Sequence, residues 1–173
     1  KFHALLATES IPEAIAYYRL LRKEMPTLKV TALFDPNIDN TGGQTFKEEG
    51  LIEVLEGYKE QFGKTYTMST HAAFKQDVAL RLAHKKPYNG KDFTKDKQID
   101  LLIVVNQMLT GFDSKWINTL YVDKVMEYEN IIQAFSRTNR LFGLDKPFGV
   151  IRYYRYPNTM KRNIDKAVAM YSD

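Results

Sequence analysis

The chain has 173 residues, which is enough for one domain with a buried core. Its apolar share of 44% and charged share of 27% are ordinary for a globular protein and argue against a disordered chain. The absence of cysteine excludes disulfides and thiolate metal sites, and the net charge of +4 is compatible with phosphate-bearing partners without requiring them. The longest apolar run, Leu101–Val105, is too short to span a bilayer, and no signal peptide is visible.

The first predicted element is a short strand at residues 2–7. Because a natural N-terminus usually leaves some slack before its first core strand, we expect the chain to be a fragment of a longer protein. Ser10 and Glu13 form a capping-box pattern that predicts a helix to about Glu24, with one apolar face. A second strand follows at residues 29–34, and this spacing is typical of a right-handed βαβ unit in a parallel sheet.

The middle of the chain is predicted to be helical. Residues 36–50 are rich in turn-forming residues, and amphipathic patterns predict helices at about 51–62 and 72–84. A lysine-rich linker at residues 85–97 leads back to the sheet. Since no strand pattern occurs between residues 36 and 97, we interpret this stretch as a helical insertion or elaborated crossover within one domain.

Three more strands are predicted in the second half. Leu101–Val105 is apolar on both faces, which predicts a central parallel strand covered by helices on each side. Strands at 119–122 and 149–153 and helices at 130–141 and 159–171 complete the pattern. Five strands alternating with helices predict a three-layer α/β fold with a parallel sheet. The residues of the last helix that we expect to face inward are Ile164, Ala167, Val168 and Tyr171.

Ligands of an open parallel sheet bind beyond the carboxyl ends of its strands, so the segments that follow the strands are candidates for a site. The richest is residues 106–113, where Gly111 lets the backbone come close to a ligand. The alternative is a plain exit from the strand, with Asp113 ending a turn.

Neither a GxxxxGK[ST] phosphate loop nor a GxGxxG fingerprint occurs, so we do not expect this chain alone to hold a nucleotide tightly. The three histidines are scattered and indicate no metal site.

The polar face of the predicted helix at 130–141 is a stronger candidate for a phosphate-binding site. Gln133, Arg137 and Arg140 recur at i, i+4 and i+7, nearly opposite the apolar face. No acidic residue between positions 130 and 144 can pair with these arginines, and arginine suits forked contacts with phosphate oxygens. The alternative is an ordinary solvated face, since unpaired surface arginines are common. The apolar face consists of Ile131, Ala134, Phe135, Thr138 and Phe142.

In this order, the motifs resemble those of a known family. The sequences QMLTGFD at 107–113, TLYVDK at 119–124 and QAFSRTNR at 133–140 are similar to motifs V and VI of superfamily 2 helicases. These sequences closely resemble the corresponding motifs in the R subunit of type I restriction–modification enzymes. The resemblance is strong over residues 101–149, looser before them, and fades after 151. It implies a RecA-like fold and identifies the whole chain, 1–173, as the second domain of a helicase motor with an insertion at about 36–97.

The resemblance also implies roles for single residues at the nucleotide. Arg140 matches the arginine finger that reaches the ATP phosphates across an interdomain cleft. Arg137 matches a second phosphate-sensing arginine, and Gln133 opens motif VI. Gly111 and Asp113 match motif V residues that link the nucleotide state to the grip on DNA.

Contacts with DNA are implied at two threonines. Thr110 in motif V is a candidate for a DNA-phosphate contact, and Thr8, at the end of the first strand, is a weaker candidate for the same task. Ser136 departs from the glycine that many superfamily 2 members have there, although the type I subunits tolerate serine.

The implied cofactors are ATP and Mg²⁺, in a site completed by a preceding RecA-like domain. The implied partners are double-stranded DNA, a nuclease domain of the same chain, and the modification and specificity subunits of a bacterial or archaeal cytoplasmic complex. The parent would be an ATP-dependent type I deoxyribonuclease, and we expect the isolated fragment to be inactive. The alternatives are another superfamily 2 helicase or remodeller, and a non-catalytic α/β module that binds a protein.

Overall fold

Parallel strands dominate the computed structural model, which describes residues 2–38, 40–105, 114–138, 144 and 146–172, apart from the side chain of Arg137. Within these ranges the strands are β1 (His3–Thr8), β2 (Val30–Leu33), β3 (Leu101–Val105), β4 (Ile117–Asp123) and β5 (Val150–Tyr153). The helices are α1 (Ile11–Glu24), α2 (Gln44–Phe62), α3 (His71–Leu82), α4 (Tyr128–Thr138) and α5 (Pro157–Tyr171), with short 3₁₀ turns at Met68–Thr70 and Lys95–Lys97. The predicted α/β class is confirmed.

The described strands form one parallel sheet in the order β2-β3-β1-β4-β5. The apolar strand β3 is interior, as predicted, but β1 is the middle strand, with Leu5 and Leu6 buried in the core. β3 inserts between β1 and β2, so the first two strands of the chain are not neighbours. Local spacing predicted the parallel direction, because a helical crossover requires it, but did not determine which strands pair.

The start of α1 follows the predicted capping pattern only in part. Ser10 caps the helix, and its Oγ accepts a hydrogen bond from the Glu13 amide at 3.4 Å. The Glu13 carboxylate does not return to Ser10; it accepts from the amide of Glu9 at 3.1 Å. The apolar face is buried as predicted, apart from the half-buried Leu21.

The helical middle of the chain packs on α1 and on the sheet. α2 begins at Gln44, seven residues before the predicted start. The prediction missed these first turns because they lack a clear apolar stripe. Gly50 and Gly57 lie two turns apart on α2, and a Cβ at either position would collide with the side chain of Ile15 or Tyr18 on α1. The two glycines therefore allow the helices to pack closely. Buried residues of α2 and α3 belong to the same apolar core as the sheet.

A buried polar network joins α2 to α3 and to the lysine-rich linker. The carboxylate of Asp77 accepts hydrogen bonds from the hydroxyl of Tyr58 at 2.6 Å, from Lys64 Nζ at 2.6 Å and from the hydroxyl of Tyr88. Arg81, one turn further on, donates from Nε to the Tyr58 hydroxyl and from Nη2 to the Tyr88 hydroxyl, both at 2.9 Å. Asp77 and Arg81 are only 5% and 2% exposed. Each buried charge is therefore paired and hydrogen-bonded.

Two of the histidines that are scattered in the sequence meet at the amino edge of the sheet. His3 Nδ1 donates to the Ile99 carbonyl, and its Nε2 lies 2.8 Å from Nε2 of His84. The His84 ring stacks on Trp116 with the ring centroids 4.2 Å apart. Burial lowers the pKa of His3 to about 4, and burial together with His3 lowers the pKa of His84 to about 4. At neutral pH both rings are therefore uncharged, and the pair joins β1, the end of α3 and the start of β4.

The inward face of α5 was predicted in part wrongly. Ala167 is buried and Ile164 half-buried, as expected, but Val168 and Tyr171 are 51% and 57% exposed. Met160 is buried instead, because α5 begins at Pro157 and its first turn already reaches the core. No helix in the described part of the chain is both long enough and apolar enough to cross a membrane.

Candidate functional site

The carboxyl ends of three neighbouring strands meet at one edge of the sheet. Thr8 pairs with Val105 on one side and with Asp123 on the other. Val105 is the last described residue before the motif V segment in the sequence. The structure therefore brings one predicted DNA contact, Thr8, to the point where the other candidate segment begins.

Thr8 itself is fully buried. Its hydroxyl lies 3.3 Å from the carbonyl of Val104 and 3.3 Å from that of Ser10, so it donates to the protein's own backbone. A DNA phosphate could reach this hydroxyl only after a local rearrangement, and the contact stays a prediction.

The motif V residues Thr110, Gly111 and Asp113 lie outside the described residues, and their roles stay predictions. The residue that follows them, Ser114, is buried and well held. Its hydroxyl donates to the Leu82 carbonyl at 2.7 Å and accepts from the Trp116 amide at 3.1 Å. The exit of the motif V segment is thereby fixed to the end of α3 and the start of β4.

The apolar face of the motif VI helix, α4, is confirmed. Ile131, Ala134 and Thr138 are buried against the core, and Phe135 is half-buried on it. Phe142 lies outside the described residues. Because the inner face of α4 is fixed in this way, the side that carries Gln133 points away from the core.

On that outer side, the structure describes the side chain of one of the three predicted residues. Gln133 is half-exposed, and its Nε2 donates to the Glu129 carboxylate at 3.0 Å. Glu129 directly precedes residues 130–144, which contain no acidic residue, so this face has an acidic neighbour at its start. The side chain of Arg137 and all of Arg140 lie outside the described residues.

The backbone at Gly149 closely approaches Thr138, the last described residue of α4. A Cβ at this position would collide with the carbonyl oxygen of Thr138 and lie 2.7 Å from its carbonyl carbon. Lys146, three residues earlier, is buried and donates from Nζ to the carbonyls of Lys115 and Ile117, and burial lowers its pKa. Residues 146–149, which lead into β5, are thus held at the start of β4 and packed against Thr138 of α4.

We expect Gly149→Ala to destabilise the chain by about 1–3 kcal/mol, because the added methyl group displaces the last turn of α4. Chemical denaturation monitored by circular dichroism measures the loss. Gly90→Ala is the matched control, since the nearest atom to its added Cβ is 3.9 Å away and the change should be almost neutral. Equal stability of the two variants would show that the contact at Thr138 relaxes without cost.

An arginine-centred cluster at the carboxyl edge was not predicted from the sequence. Arg155, two residues after β5, donates to Glu9 at 2.7 Å and to Glu13 at 2.9 Å, and its Nε lies 3.3 Å from the Asp123 carboxylate. Tyr17 donates to the same Asp123 at 2.7 Å. The cluster ties the connections after β1, β4 and β5 together. The only signal in the sequence was the position of Glu9 and Asp123 at predicted strand ends.

The electrostatics of this edge follow from its contacts. The hydrogen bond to Asp123, together with burial, raises the pKa of Tyr17 to about 12. The hydrogen bond to Glu13 and the nearby carboxylates raise the pKa of Arg155, which keeps its charge. Burial lowers the pKa of Lys124, which follows β4, although Glu9 opposes the shift. Within the described ranges, no three histidine or carboxylate side chains are grouped so that they could hold a metal ion.

A family model described as "Type I restriction enzyme subunit R domain 3" matches residues 1–156. The chain belongs to this family. The match includes the sheet, α4 and the arginine cluster, and it confirms the family that the motif V and VI sequences indicate.

Two similar proteins extend the comparison over nearly the whole chain. A type I restriction enzyme endonuclease subunit of Staphylococcus aureus (strain MRSA252) is 36% identical over 180 residues, covering 99% of this chain. One from Staphylococcus saprophyticus is 37% identical over 182 residues with the same coverage. The chain spans 18% of the length of each of these relatives.

Proposed function

We propose that this R-subunit domain is the second RecA-like domain of an ATP-dependent DNA translocase, spanning residues 1–173 with a helical insertion at about 36–97. The observation that carries the proposal is α4, whose last six residues, Gln133–Thr138, begin the sequence QAFSRTNR. Its inner face is buried, so the face of Gln133 is turned outward, where a second domain can meet it. The motif V segment precedes it in the order typical of superfamily 2 motors.

The nucleotide site is divided between two domains in this proposal. A preceding RecA-like domain holds the ATP phosphates and Mg²⁺, and the bound nucleotide supplies the phosphoryl group that is transferred to water. Arg140 donates to the phosphate oxygens and stabilises the charge that develops on them. Arg137 adds a second forked contact, and Gln133 orients the start of the motif.

Coupling to DNA follows from the division of the site. Since the arginines act only when the cleft between the domains is closed, ATP hydrolysis depends on closure, and closure moves the two domains along the DNA. Gly111 and Asp113 link this movement to the grip on DNA, with phosphate contacts at Thr110 and, after a local rearrangement, at Thr8.

The parent protein in this proposal is a type I restriction endonuclease. The similar staphylococcal proteins are named endonuclease subunits, which supports a nuclease domain in the same subunit. Double-stranded DNA is the substrate, and the modification and specificity subunits are the partners of the complex.

This chain alone is expected to show no DNA-stimulated ATP hydrolysis, because it supplies only one side of the site. Phosphate release is measured with the chain and with the full-length subunit, each at saturating ATP and duplex DNA. We expect turnover only with the full-length subunit. Turnover by the chain alone that disappears in its Arg140→Ala variant would overturn the divided site. If neither protein released phosphate from ATP, a protein-binding module would be the better explanation.

A further inference from the structure

The linker at residues 85–97 carries five lysines and two aspartates, a formal net charge of +3. It connects the end of α3 to the start of β3, at the amino ends of the strands. Asp100 fixes this position, because its amide donates to the Lys29 carbonyl at 2.8 Å and its carboxylate accepts from the Lys29 amide at 2.9 Å. The segment therefore lies beside β2 and β3, whereas α4 packs on β4 and β5.

The lysine-rich segment has a defined shape although it is almost without regular structure. Successive turns are closed by the amides of Tyr88, Phe93 and Lys97, which donate to carbonyls three residues earlier at 2.7–3.1 Å. Tyr88 is 7% exposed and donates to Asp77, while Arg81 Nη1 donates to the Lys97 carbonyl at 2.6 Å. The Phe93 ring packs edge-on against His84, with the centroids 4.9 Å apart. The segment is thus anchored near its start, in its middle and at its end.

The lysines themselves are directed to solvent. Lys85, Lys86, Lys91 and Lys95 are exposed, and none has a carboxylate partner within the described part of the chain. Lys97 is also exposed and donates to the backbone carbonyl of Asp92 at 2.7 Å. A fixed backbone that presents unpaired ammonium groups loses little conformational entropy when it binds an extended anion.

The segment also lies close to Ser114, the residue that follows motif V in the sequence, at the opposite edge of the sheet from Thr8. Ser114, the residue after motif V, donates to the carbonyl of Leu82, and His84 stacks on Trp116. Lys85 and Lys86 follow His84 directly. The exposed lysines therefore begin close to Ser114, at the amino edge of the sheet.

We propose that the exposed lysines of residues 85–97 form a second DNA-contacting surface, which binds the phosphate backbone of duplex DNA at the amino edge of the sheet, near Ser114. The choice of duplex DNA rests on the proposed function. Lysine ammonium groups bind phosphates without reading bases, so this surface holds DNA of any sequence, as a translocase requires. In this proposal the helical insertion helps to keep the motor bound to the DNA.

The test compares two variants of the chain with the same change in net charge. In the first, Lys85, Lys86 and Lys91 are changed to glutamine; in the control, the exposed Lys59, Lys161 and Lys166 are changed. Binding of a short fluorescent duplex is measured by anisotropy, without nucleotide, between about 50 and 200 mM salt. We expect the first variant to bind at least about tenfold more weakly at low salt, with a salt slope shallower by about 2–3. The control should bind like the unchanged chain.

Every other outcome would overturn the proposal. An equal loss in both variants would mean that only the overall charge matters, and unchanged binding in the first variant would mean that the lysines do not touch DNA. If polyglutamate displaced the duplex from the unchanged chain when both carry the same concentration of negative charges, an acidic protein would be the better ligand. Because no nucleotide is present, this result is independent of the divided ATP site, which phosphate release tests separately.

Discussion

Arg140→Ala in the full-length subunit is expected to lower DNA-stimulated ATP turnover by about 10³–10⁵-fold without unfolding the protein. The guanidinium would stabilise charge that develops only during phosphoryl transfer. We therefore expect the loss in kcat, with little change in KM for ATP. Steady-state phosphate release at saturating duplex DNA measures the effect, and translocation along DNA should fail in parallel.

Two companion variants make this experiment decisive. Arg162→Ala removes an exposed arginine of α5, outside the proposed site, and should keep normal turnover. Arg140→Lys keeps the charge but not the planar fork, so it should recover only a small part of the activity. Normal turnover in Arg140→Ala would show that this residue is not the arginine finger, whatever the state of the rest of the motor.

Asp77→Ala is expected to destabilise the chain by about 3–5 kcal/mol, the largest effect we expect from a single change outside the nucleotide site. The variant leaves the nearly fully buried Arg81 without its carboxylate and removes the acceptor of the Tyr58 and Tyr88 hydroxyls. Three elements then lose their common anchor: α2, α3 and the lysine-rich segment. Urea denaturation followed by circular dichroism measures the free energy of unfolding.

Asp165→Ala is the matched control, because Asp165 is exposed on α5 and its loss should change stability by less than about 0.5 kcal/mol. A loss below about 1 kcal/mol in Asp77→Ala would mean that water replaces the carboxylate in the network. Burial alone would raise the pKa of Asp77, but hydrogen bonds from Lys64, Tyr58 and Tyr88 outweigh it and lower the pKa below the usual range of an aspartate. The contribution of Asp77 is therefore fully present above the pKa of the unfolded state and is lost as the pH falls through the lower, folded-state pKa.

Local patterns in the sequence were sufficient for the fold class and for the inner face of the motif helix. A strand buried on both faces has to be apolar throughout, and Leu101–Val105 is. Helical periodicity placed Ile131, Ala134 and Thr138 together because neighbouring residues of a helix determine its faces. The family was equally accessible, since motifs V and VI are contiguous sequences whose residue types carry the resemblance. Val168 and Tyr171 were placed wrongly because a helix end can leave the core before its periodicity ends.

Contacts between distant residues were decided only by the tertiary structure. The insertion of β3 between β1 and β2, and the carboxylates gathered around Arg155, join positions with no common local pattern. The same holds for the pairing of His3 with His84 and for the packing of Gly149 against Thr138. The sequence by itself determined the elements and the chemistry of the motor motifs, because both depend on neighbouring residues. Which strands pair, and which charges meet in the interior, depends on how the whole chain packs around one core.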